Sequence, residues 1–281
     1  MSLRKVILMI IFIAMLTLSL ILTIYLVKRK ARIVLMPKGG KRELIKSYID
    51  IVALLLVISI VAYIIVKKLG ANFMIALVAC ALIFLSYVTS YNMLIILNAR
   101  YTWILLALIL LTICWVSTSL KEVEIVSSIL VEITGVLTGL TMMLSLPVYL
   151  LILFIITLII YDYISVRYWL LREVLKNLKI EEKTSREKHT TKVPLPLRLI
   201  MANIGYMYIG IGDIIVFTIL VSSSYVMFPS IIPSIFVIIS IIAGLMLTKF
   251  LMKVLGWSYA PGLPIPVTLA LIVFIVSKVV L

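Results

Sequence analysis

Nine apolar runs of roughly 17–25 residues divide this chain, at about 6–27, 48–66, 71–90, 101–119, 125–145, 147–166, 204–226, 230–248 and 262–281. Wound as a helix, a run of that length spans the hydrocarbon core of a bilayer. With 64% of its 281 residues hydrophobic, a water-soluble fold would have too little interior to hide the apolar surface, so lipid is the expected solvent. The expected fold class is all-α, a polytopic membrane protein with nine transmembrane helices in a single membrane domain. Residues 1–145 would supply helices 1–5 as a scaffold. Residues 146–281 would supply helices 6–9, with a polar loop at 167–199. The first run lacks a small-residue cleavage site and is expected to stay as a spanning helix.

An excess of 26 Lys and Arg over 11 acids, net +15, would point to nucleic acid in a soluble chain. Here the cations lie between the apolar runs, eight of them in residues 28–47 and nine in 167–199. That placement makes anionic lipid headgroups the expected partner and nucleic acid an unexpected one. Across the nine-run topology, 16 cations fall on the N-terminal side and 10 on the other, which favours a cytoplasmic N-terminus. The eight in the first loop oppose it. Cys80 and Cys114 lie inside apolar runs and the single histidine, His189, lies in the polar loop. Neither a disulfide framework nor a metal site is expected from them.

Acids at membrane depth are costly and are functional-site hypotheses by default. Most of the acids here lie in loops or at helix ends, and Asp50 lies near the start of the second run. Glu132, Asp162 and Asp213 remain. Asp162 lies fifteen residues after Pro147, and Asp213 sixteen before Pro229. At about 1.5 Å per residue, both carboxyls fall roughly 22–24 Å from the same membrane face, level with each other on antiparallel helices. Two carboxyls sharing a low-dielectric site cannot both ionise, so one holds a proton while the other acts as a base. Such a pair can activate water against a peptide carbonyl. It can equally serve helix packing, or relay protons in a transporter. Gly210 and Gly212, flanking Asp213 without side chains, are expected to let another backbone approach it.

Three motifs resemble those of the presenilin and signal peptide peptidase family of GxGD intramembrane aspartyl proteases. They are Tyr161-Asp162 on the sixth run, Gly210-Ile211-Gly212-Asp213 on the seventh, and "PGLP" at 261–264 where the family has Pro-Ala-Leu. The resemblance covers residues 145–281, while helices 1–5 match in number only. It implies that Asp162 and Asp213 are the catalytic pair and that Tyr161, Gly210, Gly212, Pro261, Gly262 and Leu263 shape the site or bind substrate. It implies no metal or organic cofactor. The implied substrates are transmembrane-helix proteins or signal peptides, cut within the bilayer. Gly262 departs from the family's alanine. The polar loop lacks a hydrophobic self-cleavage segment, and there is no glycosylation sequon, so the chain is most similar to short prokaryotic members acting in the cell membrane.

The prolines of "APGLPIP", 260–266, are expected to keep that segment extended at the mouth of the ninth helix, beside both aspartates. "EEKTSR", Glu181 to Arg186, matches a motif of glutamate-dependent membrane proteases, but that chemistry also needs intramembrane histidines. It is read as a solvated charge run. Two other functions remain as alternatives, a proton-coupled transporter using the aspartates as a relay and a prepilin-type peptidase. Glu132 is either a buried glutamate facing the bundle or a polar group on a water path to the pair. Gly135 and Gly139, spaced GxxxG, are expected to let two helices pack closely.

Overall fold

The computed structural model describes residues 3–28, 40–54, 56–57, 61, 124–168, 201–205, 207–255 and 262–280. The helices among them are α1 (Leu3–Lys28), α2 (40–54), α3 (Glu124–Ser145), α4 (Val148–Tyr168), α5 (Ile211–Met227), α6 (Ile231–Leu255) and α7 (Pro264–Val280). Between α4 and α5 lies a short antiparallel pair, β1 (Met201–Asn203) and β2 (Tyr208–Gly210). Among the described residues, three helices are long and apolar enough to cross a membrane, Lys5–Lys28, Ile125–Ser145 and Ile231–Leu255. The protein is mostly helical, with the character of a multi-pass membrane protein.

Helix α5 is the centre of the bundle. Its residues from Val216 to Ser224 are all buried, as expected of a helix that is apolar on every side. The seam between α3 and α5 is built by the two glycines of the GxxxG. A β-carbon at Gly135 would collide with the Ile214 side chain, and one at Gly139 with Thr218 and the Ile215 carbonyl. The backbones therefore approach as closely as the spacing implied. On the other side, Phe12 of α1 meets Phe217 edge-on at 6.4 Å. Thr23 of α1 donates to Ser222 of α5 at 2.9 Å.

These contacts also set directions. Gly135 lies against Ile214 and Gly139 against Thr218, so α3 and α5 run parallel. Lys5 lies against Gly205 and Thr23 against Ser222, so α1 runs the same way. Gly262 lies against Asp213, and Phe274 against Phe228, so α7 does too. The turns at Pro147 and Pro229 send α4 and α6 in from the opposite side. Proline suits both places because it cannot continue a preceding helix.

Three expectations need correction. The seventh run does not form one helix over 204–226. Its first part is the β1–β2 hairpin, and the helix starts at Ile211. This short hairpin leaves the fold mostly helical, compatible with the all-α class. The cause is local: Asn203 Oδ1 accepts the Gly205 N–H at 2.7 Å, and Gly205 adopts φ +93. The Ile204 N–H closes the turn on the Met207 carbonyl at 3.0 Å. A side chain at Gly205 would also strike the Lys5 backbone, so only glycine turns the chain there. The second run begins its helix at residue 40 rather than 48, so Asp50 is well inside it, with its side chain exposed. Here Tyr48 bonds to Thr157 of α4 at 2.5 Å. Finally, α7 opens at Pro264, so Pro264 and Pro266 lie in its first turn and not in an extended segment. The first N–H groups of a helix have no partner in any case, which removes the cost of proline there.

The runs at 71–90 and 101–119, Cys80, Cys114, His189, the polar loop with Glu181 and Arg186, Tyr206 and Pro261 lie outside the described residues.

Candidate active site

Three helix ends converge on one spot. Asp162 lies in the last third of α4, Asp213 in the first turn of α5, and Gly262 with Leu263 form the bend that leads into α7. The two aspartates and the bend are brought together by these ends; the residues are 51 and 50 positions apart along the chain.

Each carboxyl is held by a backbone donor. The Leu263 N–H donates to Asp162 Oδ2 at 3.0 Å, and the Gly262 N–H also faces that carboxyl. The Gly210 N–H donates to Asp213 Oδ2 at 3.2 Å. This second bond is half of a capping box, in which the third residue of a helix reaches back to the residue before its start. Gly210 has no side chain to return the bond, so the Asp213 carboxylate alone caps that end. Asp213 belongs at this position on electrostatic grounds too, because a negative group is favoured at a helix N-terminus.

The two carboxyls meet across the Gly262–Leu263 bend. A β-carbon at Gly262 would lie 3.1 Å from the Asp213 carboxyl carbon and would collide with its Oδ2. The next residue, Leu263, is the one bonded to Asp162. Leu263 itself is buried, and its carbonyl accepts the Val267 N–H at 3.0 Å, which anchors the bend to the first turn of α7.

The other expected site residues are distributed unevenly. Tyr161 is half-buried next to Asp162 on α4. Among the described residues, no backbone packs on the side-chain face of Gly210 or Gly212. Among the described residues, a β-carbon at Gly212 would meet open space and one at Gly210 only the Asp213 carboxyl, at 3.6 Å. The glycine packed against Asp213 is Gly262. What the sequence reading missed was the hairpin. The Asn203-Ile204-Gly205 stretch is a turn signal inside an apolar run, and Gly210 and Gly212 disfavour a helix interior. The apolar character of the surrounding run masks both signals. No group of three metal-ligating side chains occurs among the described residues.

No protein-family model and no curated protein matches the chain.

Proposed function

We propose that the protein is an intramembrane aspartyl endopeptidase that hydrolyses peptide bonds within substrate transmembrane helices. One observation carries this reading. The Gly262–Leu263 bend touches both aspartates, so two carboxyls on different helices face one small non-helical patch of backbone. A packing role would need only one of them, hydrogen-bonded and capped.

The chemistry follows from the pair. The ionised carboxyl takes a proton from water as its oxygen attacks the peptide carbonyl carbon. The protonated partner gives its proton to the carbonyl oxygen. The tetrahedral gem-diol then collapses: the C–N bond breaks as the first carboxyl gives its proton to the leaving nitrogen, and the second carboxyl takes back a proton from one hydroxyl, which leaves a carboxylic acid and restores the starting state of the pair. The Leu263 and Gly210 N–H groups hold Asp162 and Asp213 in position, leaving the remaining lone pairs for water and substrate. A transmembrane helix hides its scissile bonds in its own hydrogen bonds and must unwind to be cut. Non-helical backbone is tolerated at membrane depth where protein or a water-filled cavity covers it. Both flanks of the site, β2 and the bend, have that character.

The finer topology is nine spans. Helices α1 and α3 run in the same direction, which supports an odd number of crossings between them. The apolar runs at 48–66, 71–90 and 101–119 would supply three. The motifs Tyr161-Asp162, Gly210 to Asp213 and Gly262-Leu263 support membership of the presenilin and signal peptide peptidase family, with transmembrane or signal-peptide substrates and a cell-membrane location. The reading is tested by asking whether an aspartyl transition-state analogue carrying a photoreactive group labels the purified protein, and whether Asp162→Asn abolishes that labelling.

A further inference from the structure

Glu132 is a carboxylic acid that the proposed chemistry does not use. It is only 1% exposed, and among the described residues its Oε2 has no hydrogen-bond partner. A buried polar atom in that condition costs free energy unless something satisfies it.

Its position follows from the α3 register. Ser128, Glu132, Gly135 and Gly139 are spaced by four, three and four residues, which puts them on one face of the helix. Ser128 accepts the Asn203 N–H of β1 at 2.9 Å. A β-carbon on Gly135 would meet Ile214 and Ile211 of α5. Glu132 lies between those two fixed points, and helical side chains lean toward the N-terminus. It is therefore directed at the joint where the hairpin becomes α5, the same joint whose first turn carries Asp213. The first N–H groups of a helix lack intrahelical partners, and the residue before α5, Gly210, offers no side-chain cap. By register, then, a buried carboxyl acceptor lies at the level of a helix start whose first N–H groups have no intrahelical partner.

We propose that Glu132 and the first turn of α5 form a water-binding site that feeds the aspartate pair, an inference that rests on the hydrolytic reading above. Water is the ligand this chemistry fits. It needs two to four polar partners, donors and acceptors together. A hard divalent cation needs six or more oxygens, whereas Glu132 supplies one carboxyl. Each hydrolysis consumes one water in a site surrounded by lipid, and the hairpin joint provides a polar reservoir one helical turn from Asp213. Glu132 is a positioning residue, acting through the water it holds.

The test compares Glu132→Leu with Glu132→Gln in the full-length protein in lipid nanodiscs. Leucine is close in size and apolar; glutamine keeps both a donor and an acceptor. Radiolytic hydroxyl-radical labelling, which reports bound water without any need for activity, should fall at Met207 and Ile211 in the leucine variant and persist in the glutamine one. With a transmembrane peptide substrate, Glu132→Leu should lower kcat by about tenfold or more with KM unchanged, and Glu132→Gln should restore most of it. The melting temperature of Glu132→Leu should stay level or rise, because the carboxyl and the water it holds are removed together and an apolar group of similar size takes their place. Unchanged labelling in Glu132→Leu overturns the water site. Activity and melting temperature falling together in both variants means a structural role and also overturns it. If Asp162→Asn and Asp213→Asn still cleave while the labelling pattern holds, the site's catalytic role is overturned together with the protease reading.

Discussion

The Leu263 N–H and the Asp162 Oδ2 lie 3.0 Å apart across 101 positions of sequence. This bond ties the entrance of α7 to the end of α4. The adjacent residue, Gly262, closes the remaining distance to Asp213. The two aspartates are thus spaced by a two-residue bend, and the consequences of changing it can be stated separately for geometry and for stability.

Gly262→Ala would bring a methyl group into collision with Asp213 Oδ2. A carboxylate at the end of a side chain can swing away, so folding should lose at most about 1 kcal/mol. The displaced acid should cost far more in rate, of the order of 10²-fold, because small misplacements of catalytic groups are severe. Thermal unfolding and steady-state cleavage of the same preparation check both halves.

Leu263→Arg should abolish cleavage. Leu263 is buried, and its replacement would force a charged guanidinium into an apolar position next to the bend that holds Asp162. Leu263→Met, which conserves volume, should retain activity within a few fold. The pair of variants is read in a single peptide-cleavage assay.

The dependence of kcat on pH should be bell-shaped, with two macroscopic pKa values that belong to the pair and to neither residue alone. Acidification protonates the base, and alkalinisation removes the proton that the acid must give. A chelator such as EDTA should leave the rate unchanged. Zinc-restorable loss of activity after chelation would assign the chemistry to other residues.

Gly205→Ala should destabilise the fold without touching the acids. It forces a β-carbon into φ +93, which costs about 1–3 kcal/mol, and against the Lys5 backbone besides. The hairpin should loosen from α1, lowering the melting temperature. Any loss of cleavage should follow the fraction unfolded.

Much of this was legible in the sequence, and the reason differs from element to element. Hydropathy located α1, α3, α4, α6 and α7 because an apolar run has one economical conformation in lipid. Counting residues from Pro147 and Pro229 put Asp162 and Asp213 at one level, and the structure brings them to one bend. The levels agree although 204–226 is not one helix, since α5 begins only two residues before Asp213. Hydropathy cannot separate a helix from a hairpin whose residues are equally apolar. That decision belongs to Asn203 and Gly205, through one side-chain bond and one positive φ. The proline cluster misled for a related reason: proline is unfavourable inside a helix and favourable in its first turn, so the same residues fit either outcome. The close approach of Gly262 to Asp213 depends on packing between α5 and α7, which spacing along the chain does not encode.

The most direct measurement is cleavage of a model transmembrane peptide by the purified protein in lipid, comparing wild type with Asp162→Asn and Asp213→Asn. Both variants remove a titratable acid while keeping its shape, so each should fold with a melting temperature close to wild type. The account predicts cleavage within the hydrophobic segment by the wild type, inhibition by an aspartyl transition-state analogue, and loss of at least about 10³-fold in either variant, since one carboxyl cannot be both acid and base. Cleavage by either variant at a rate near wild type would contradict the assignment of these two residues. No cleavage by well-folded wild type across a panel of transmembrane peptides would contradict the protease itself.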